Sequence, residues 1–141
     1  MSVAAILLPA FVQAALTFGL LLWMGRSRFA AVGRGEVTVR DGAPIWPGRV
    51  KQAGDAFHNQ LELPPYFLIL VGLALVTRKA DLLFVVMSWA FVLSRVVHAG
   101  IHVTTNVIRQ RFAVFLVGAT ILMLMWIIFA ARILFAGAGP A

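Results

Sequence analysis

The run RVVHAGIHVTTNVIRQR, Arg95 to Arg111, closes a long apolar stretch with an arginine, two histidines, an asparagine and two more arginines, mostly three or four residues apart. A second run, KQAGDAFHNQLELPPY from Lys51 to Tyr66, carries Asp55, His58, Asn59 and Glu62 at similar intervals. At ~100° per residue, Ser88, Arg95, His98, His102, Asn106 and Arg109 fall within about 80° of one helix, and Lys51, Asp55, His58, Asn59, Glu62 and Tyr66 within about 100° of another. Such groups supply fixed positive charge, imidazole acceptors and amide donors, the equipment of a polar or anionic ligand site. The HxxxH of His98 and His102 also has the i, i+4 spacing of a shared metal ion. Only one further histidine, His58, is present, and no Glu-x-x-His pair accompanies it, so no metal ligands are assigned.

The elements that must position these residues are membrane spans. Of the 141 residues, 62% are apolar and 12% charged, about half the charge of a soluble domain. Apolar segments at about 3–24, 56–77, 82–106 and 112–135 each approach the ~20 residues that cross a ~30 Å hydrocarbon layer. Four spans in so short a chain leave no separate soluble domain. The expectation is an all-α integral membrane protein, an up-down-up-down four-helix bundle forming one domain over 1–141. The first span has no basic n-region and is longer than a signal h-region, so it reads as a span.

The net charge of +7 is a topology signal and gives no reason to expect nucleic acid. Arg26, Arg28, Arg34, Arg40, Arg49 and Lys51 lie between spans one and two, and Arg109 and Arg111 between three and four; Arg78, Lys79 and Arg132 lie opposite, eight against three. The positive-inside rule places the basic loops in the cytoplasm and both termini outside. Attraction to anionic lipid headgroups accompanies that balance. There is no cysteine, hence no disulfide and no thiol nucleophile in the chain. Within the loop 25–55, alternation around Val37 and Val39 before Asp41-Gly42 predicts a short hairpin, and Trp46 suits an interfacial anchor. Gly118 and Ala119, like Gly72 and Ala74, are candidates for close helix approach.

Depth sharpens the reading of the polar faces. At ~1.5 Å per residue, Arg95 lies about 16 Å from Asn106, near mid-membrane. An arginine there costs ~2.5–3.5 kcal/mol and needs a partner. Glu62 is the only acidic residue well inside a span, so a Glu62–Arg95 contact is expected, within one chain or between chains. An ion pair that merely fixes helix register would account for those two residues. It would not account for two histidines, two asparagines and paired arginines beside them, which point to a wet or ligand-filled cavity at the cytoplasmic side.

The N-x-x-E-x-x-P frame of Asn59, Glu62 and Pro65 in HNQLELPPYF, together with Arg95-x-x-His98-x-x-x-His102 and then Asn106, Arg109, Arg111 and Phe112, resembles the MAPEG family, membrane-associated proteins in eicosanoid and glutathione metabolism, and in particular a bacterial branch. The resemblance covers nearly the whole chain. It implies a homotrimer in the bacterial inner membrane, with glutathione bound between subunits and a lipophilic small-molecule substrate entering from the lipid side. Carried over, Asn59 and Glu62 bind the peptide, with His58, Arg95, His98, His102 and Asn106 around it; Arg109 is the first candidate for the thiolate arginine and Arg111 the second. A fixed cation beside a thiol lowers its pKa and makes a nucleophile at neutral pH. Two departures stand out: Asp55 where an arginine is common, and His98 and His102 where several members carry tyrosines. The function expected is a glutathione- or thiol-dependent transferase or peroxidase; the alternatives are a non-catalytic membrane scaffold with a structural polar cleft and, ranked below it, a metal site on His98 and His102. A channel or transporter is disfavoured, because no strongly broken helix or inverted repeat is apparent.

Overall fold

The computed structural model describes residues 1–135. Five α-helices make four spans: α1 (Val3–Gly33), α2 (Gly48–His58) and α3 (Pro64–Val76) joined into one span by a 3₁₀ turn at Asn59–Leu61, α4 (Leu82–Val103) and α5 (Ile108–Leu134). All four spans are long and apolar enough to cross a membrane, and the protein is an integral multi-pass membrane protein.

Helix ends follow local chemistry. Ser2 caps α1, its Oγ accepting from the Ala5 amide at 3.3 Å. The helix continues nine residues past the expected Met24, because GRSRFAAVG holds no breaker until Gly35, whose φ of +67° suits a glycine at the stop. At ~1.5 Å per residue α1 is about 46 Å long, so its basic last turns project beyond a hydrocarbon layer. Thr38–Arg40 (β1) then pairs antiparallel with Ala43–Ile45 (β2) around an Asp41-Gly42 turn. Trp46 packs against the bundle: the Arg28 guanidinium lies 4.9 Å from its ring centre.

Two departures from the sequence expectations re-aim the polar faces. Span two is an interrupted helix, which corrects the expectation of an unbroken one and removes that part of the argument against a transporter. Pro64 and Pro65 lack amide hydrogens and crowd the preceding turn, so α2 ends at His58 and the backbone passes through the 3₁₀ turn before α3. Span three ends early, at Val103. Thr104 turns its hydroxyl back onto the Gly100 carbonyl, and Asn106 adopts φ +52° while its amide reaches the Ile101 carbonyl at 2.7 Å. Asparagine tolerates that left-handed conformation better than most residues. Asn106 and Arg109 therefore lie off the α4 face.

The interior divides into two unequal parts. Ile6, Phe67, Leu70, Val71, Ala74, Phe84, Phe91, Leu122 and Met125 form an apolar core where the start of α1 meets α3, α4 and α5, with Phe67 and Phe91 rings 4.7 Å apart. Toward the basic loop Leu20, Ala56 and Ala99 form a smaller apolar cluster, and Met24, Ala31, Val50 and Ala53 are also buried. Large polar side chains share the interior there. α4 is the most buried span and α5 the least, and the two approach closely at Gly118, where an added Cβ would stand 2.6 Å from Ser94 Oγ. Gly72 makes no such approach; a Cβ there would meet nothing within 4 Å.

Candidate functional site

The α4 face delivers Arg95, His98 and His102 into the interior, where they are 0, 2 and 1% exposed. Nη2 of Arg95 donates to the Asn59 carbonyl at 3.4 Å and approaches His98 Nδ1 at 3.3 Å, while its Cζ lies 5.8 Å from the Phe115 ring centre. Its Nε and Nη1 are buried without a hydrogen-bond partner in the protein. The Asn59 amide donates to the Asp55 carbonyl at 2.9 Å and meets His102 Nδ1 at 3.2 Å. Nδ1 is thus the acceptor in both imidazoles, which leaves Nε2 as the donor. The rings stand edge to face, 6.0 Å between centres, and the described residues hold no group of three or more His, Asp or Glu able to share a metal.

Asn59 occupies this junction because span two breaks there. As the first residue of the 3₁₀ turn it offers its carbonyl to Arg95 and its amide to His102. Three glutamines brace the same junction, and none was singled out from the sequence as a site residue. Gln52 donates to the His102 carbonyl, and buried Gln13 of α1 donates to Gln60 at 3.0 Å. The available signal was an amide inside an apolar span, which requires a partner, although spacing does not identify one across helices.

Asn59, His98, Ile108, Arg111, Phe112 and Phe115 line a recess of about 160 Å³ beside this network. Arg111 is held over it by a 2.6 Å bond to Asn106 Oδ1. Asn106, though off α4, therefore still positions a site residue. Arg109 lies exposed on the first turn of α5 and does not line the recess. Arg95 and His102 lie behind it.

The expected Glu62–Arg95 ion pair does not form within the chain: among the described residues no salt bridge joins them. The tighter 3₁₀ turn and the bend before Pro64 bring Glu62 to the surface, as they do Tyr66. His58 is also exposed, its Nδ1 bonded to the Gly54 carbonyl at 2.8 Å. Lys51 pairs with Asp55 at 2.6 Å, offsetting the anion that stands where a cation is common.

The protein is thus a four-span membrane bundle with a buried Arg-His-Asn network beside a recess that has an arginine and an aromatic wall. The sequence model of the MAPEG family matches residues 6–134, and the chain belongs to the MAPEG family. Neither a curated protein nor a solved structure gives a significant match.

Proposed function

We propose that the protein is a membrane-bound transferase or peroxidase that uses glutathione, or another small thiol, on lipophilic substrates. The observation that carries this reading is the recess itself, where Arg111 and Asn59 face an aromatic wall of Phe112 and Phe115. A guanidinium beside a thiol favours the thiolate. In the transferase reaction that sulfur attacks an electrophilic carbon, forming a C–S bond as the leaving group departs with the displaced electron pair. Exposed Phe112 gives the apolar partner a route from the lipid.

Fit with glutathione depends on assembly. The recess is smaller than the ~300–1,000 Å³ usual for small-molecule sites, so a whole tripeptide needs surface beyond one protomer. A homotrimer of up-down-up-down bundles, oriented with its basic loops in the cytoplasm, supplies it: exposed Glu62, Tyr66 and Arg109 would line a cleft between neighbours. Arg111 takes the thiolate role ahead of Arg109, and His98 lines the same wall. Arg95 and His102 act behind it as positioning residues.

The test is glutathione's ultraviolet thiolate absorbance on the purified oligomer. Arg111→Ala should raise the bound thiol's pKa by about one unit, reducing thiolate roughly tenfold at a pH below it, with a smaller effect from Arg109→Ala. Absence of binding at millimolar concentration by glutathione and by other small thiols would remove the proposal. The burial of Arg95 and His102 favours a second reading, a non-catalytic scaffold, which requires Arg95→Met to weaken the oligomer while no thiol binds at all.

A further inference from the structure

We infer that the end of the bundle away from the basic loop holds a binding site for an anionic phospholipid, with the headgroup phosphate on Arg78 and Lys79 and an acyl chain against α1 and α3. Two adjoining depressions meet there. One, of about 660 Å³, is bordered by Arg78, Lys79, Asp81, Arg132 and Phe135. The other, of about 450 Å³, runs along Val3, Ile6, Ala74 and Leu75 and shares Arg78 and Ala80 with the first. A cationic shelf and an apolar groove therefore share a border at Arg78 and Ala80.

Charge selects the occupant. The shelf has three cations and one carboxylate, a net charge of 3 − 1 = +2. Asp81 is already engaged twice, by Arg132 Nη2 at 2.6 Å and by the Phe84 amide at 2.9 Å. Arg132 is further tied to the Lys79 carbonyl at 3.4 Å. Among the described residues Arg78 and Lys79 enter no ion pair. A phosphate diester satisfies them, whereas the ammonium of a zwitterionic headgroup would find only a carboxylate already committed. The level is also right: α3 ends at Val76 and α4 begins at Leu82, both exposed, where hydrocarbon gives way to headgroups.

The turn adds a separate observation. Arg78 has φ +56°, and the Lys79 amide closes back onto the Ala74 carbonyl at 3.0 Å. That position in a helix stop favours glycine. An arginine there stands against backbone preference, which fits a side-chain role and makes Arg78→Gly a discriminating variant: it relieves the backbone while removing the cation.

The full chain, purified in a neutral detergent, is offered phosphatidylglycerol and phosphatidylcholine in equal amounts, and retained lipid is read by native mass spectrometry. Wild type should keep phosphatidylglycerol preferentially. Arg78→Gly should lower its retention about fivefold and Arg78→Gly/Lys79→Gln about thirtyfold, with lipid-free thermal stability of Arg78→Gly unchanged or raised. Equal retention by these variants overturns the inference. So does displacement of the lipid by millimolar inorganic phosphate at the same efficiency whatever the chain length, which would assign the shelf to free phosphate. A chain cut after residue 135 that binds lipid when the intact chain does not would assign it to the protein's own C-terminal segment.

Discussion

The two halves of this bundle bury their interiors by opposite means. In the half that ends at Arg78 and Asp81, side chains such as Phe67, Leu70 and Phe91 close an apolar core, and charge stays at the rim. In the half under the basic loop, Arg95, His98, His102, Gln13 and Gln60 are buried among smaller apolar groups such as Leu20, Ala53, Ala56 and Ala99. An apolar core inside a membrane is held by non-directional packing, since lipid tails are as apolar as the side chains they would replace. A polar interior is directional, and each unmatched donor is expensive. The first half is a scaffold with ordinary tolerance; the second holds a few atoms in fixed positions, the requirement of a site.

The largest expected effect tests that division. Leu70→Ala should destabilise the protomer by about 2–5 kcal/mol, since Leu70 is fully buried among large neighbours. Thiol binding by the fraction that remains folded should be unchanged. Asn59→Leu should destabilise less, about 1–3 kcal/mol from unpaired polar groups, and should abolish thiol binding. Detergent-micelle unfolding alongside thiol titration measures both. A Leu70→Ala protein that loses binding as completely as Asn59→Leu would show that the halves are not independent.

This division explains what could be read in the sequence. Four spans were legible because length and apolarity alone set them. The inward face of α4 was legible because Arg95, His98 and His102 repeat at three and four residues on an unbroken helix. Periodicity fails where the helix does. Asn106 and Arg109 continue the same phase in the sequence, yet Asn106 turns the chain with a left-handed backbone and restarts the phase, so that Arg111 lines the recess. Glu62 was carried onto the polar face by treating span two as one helix, although Pro64-Pro65 marked the break. The Gln13–Gln60 contact joins residues 47 positions apart, a pairing no local pattern encodes.

Between the halves lies Gly118. A Cβ built there would stand 2.6 Å from Ser94 Oγ and 3.8 Å from Arg95 Cδ, so the polar layer depends on this close approach of α5. Gly118→Ala should destabilise by about 1–3 kcal/mol by overpacking. Ser94→Ala should recover most of that loss in the double variant, because the Ser94 Cβ lies 3.7 Å from the added carbon, an ordinary contact. If the double variant is as unstable as Gly118→Ala alone, the crowding lies elsewhere.

The smallest effect belongs to the rim of the apolar half. The Arg132 guanidinium, 2.6 Å away, holds the Asp81 carboxyl below the usual carboxylate range, against the opposing pull of partial burial. A carboxylate depressed in the folded state contributes stability that is fully present above its unfolded pKa, about 3.9, and lost as pH falls through the lower folded value. Asp81 is half exposed and Arg132 partly so, which leaves a contribution of about a few tenths of a kcal/mol. Asp81→Asn keeps a helix-capping residue while removing the charge. Its thermal midpoint should lie slightly below that of wild type at about pH 6 and converge on it toward about pH 2. Convergence at that end is the signature of an ion pair at the rim. An undiminished gap at low pH would mean that Asp81 acts through its capping geometry alone, and that charge contributes nothing to closing the apolar half.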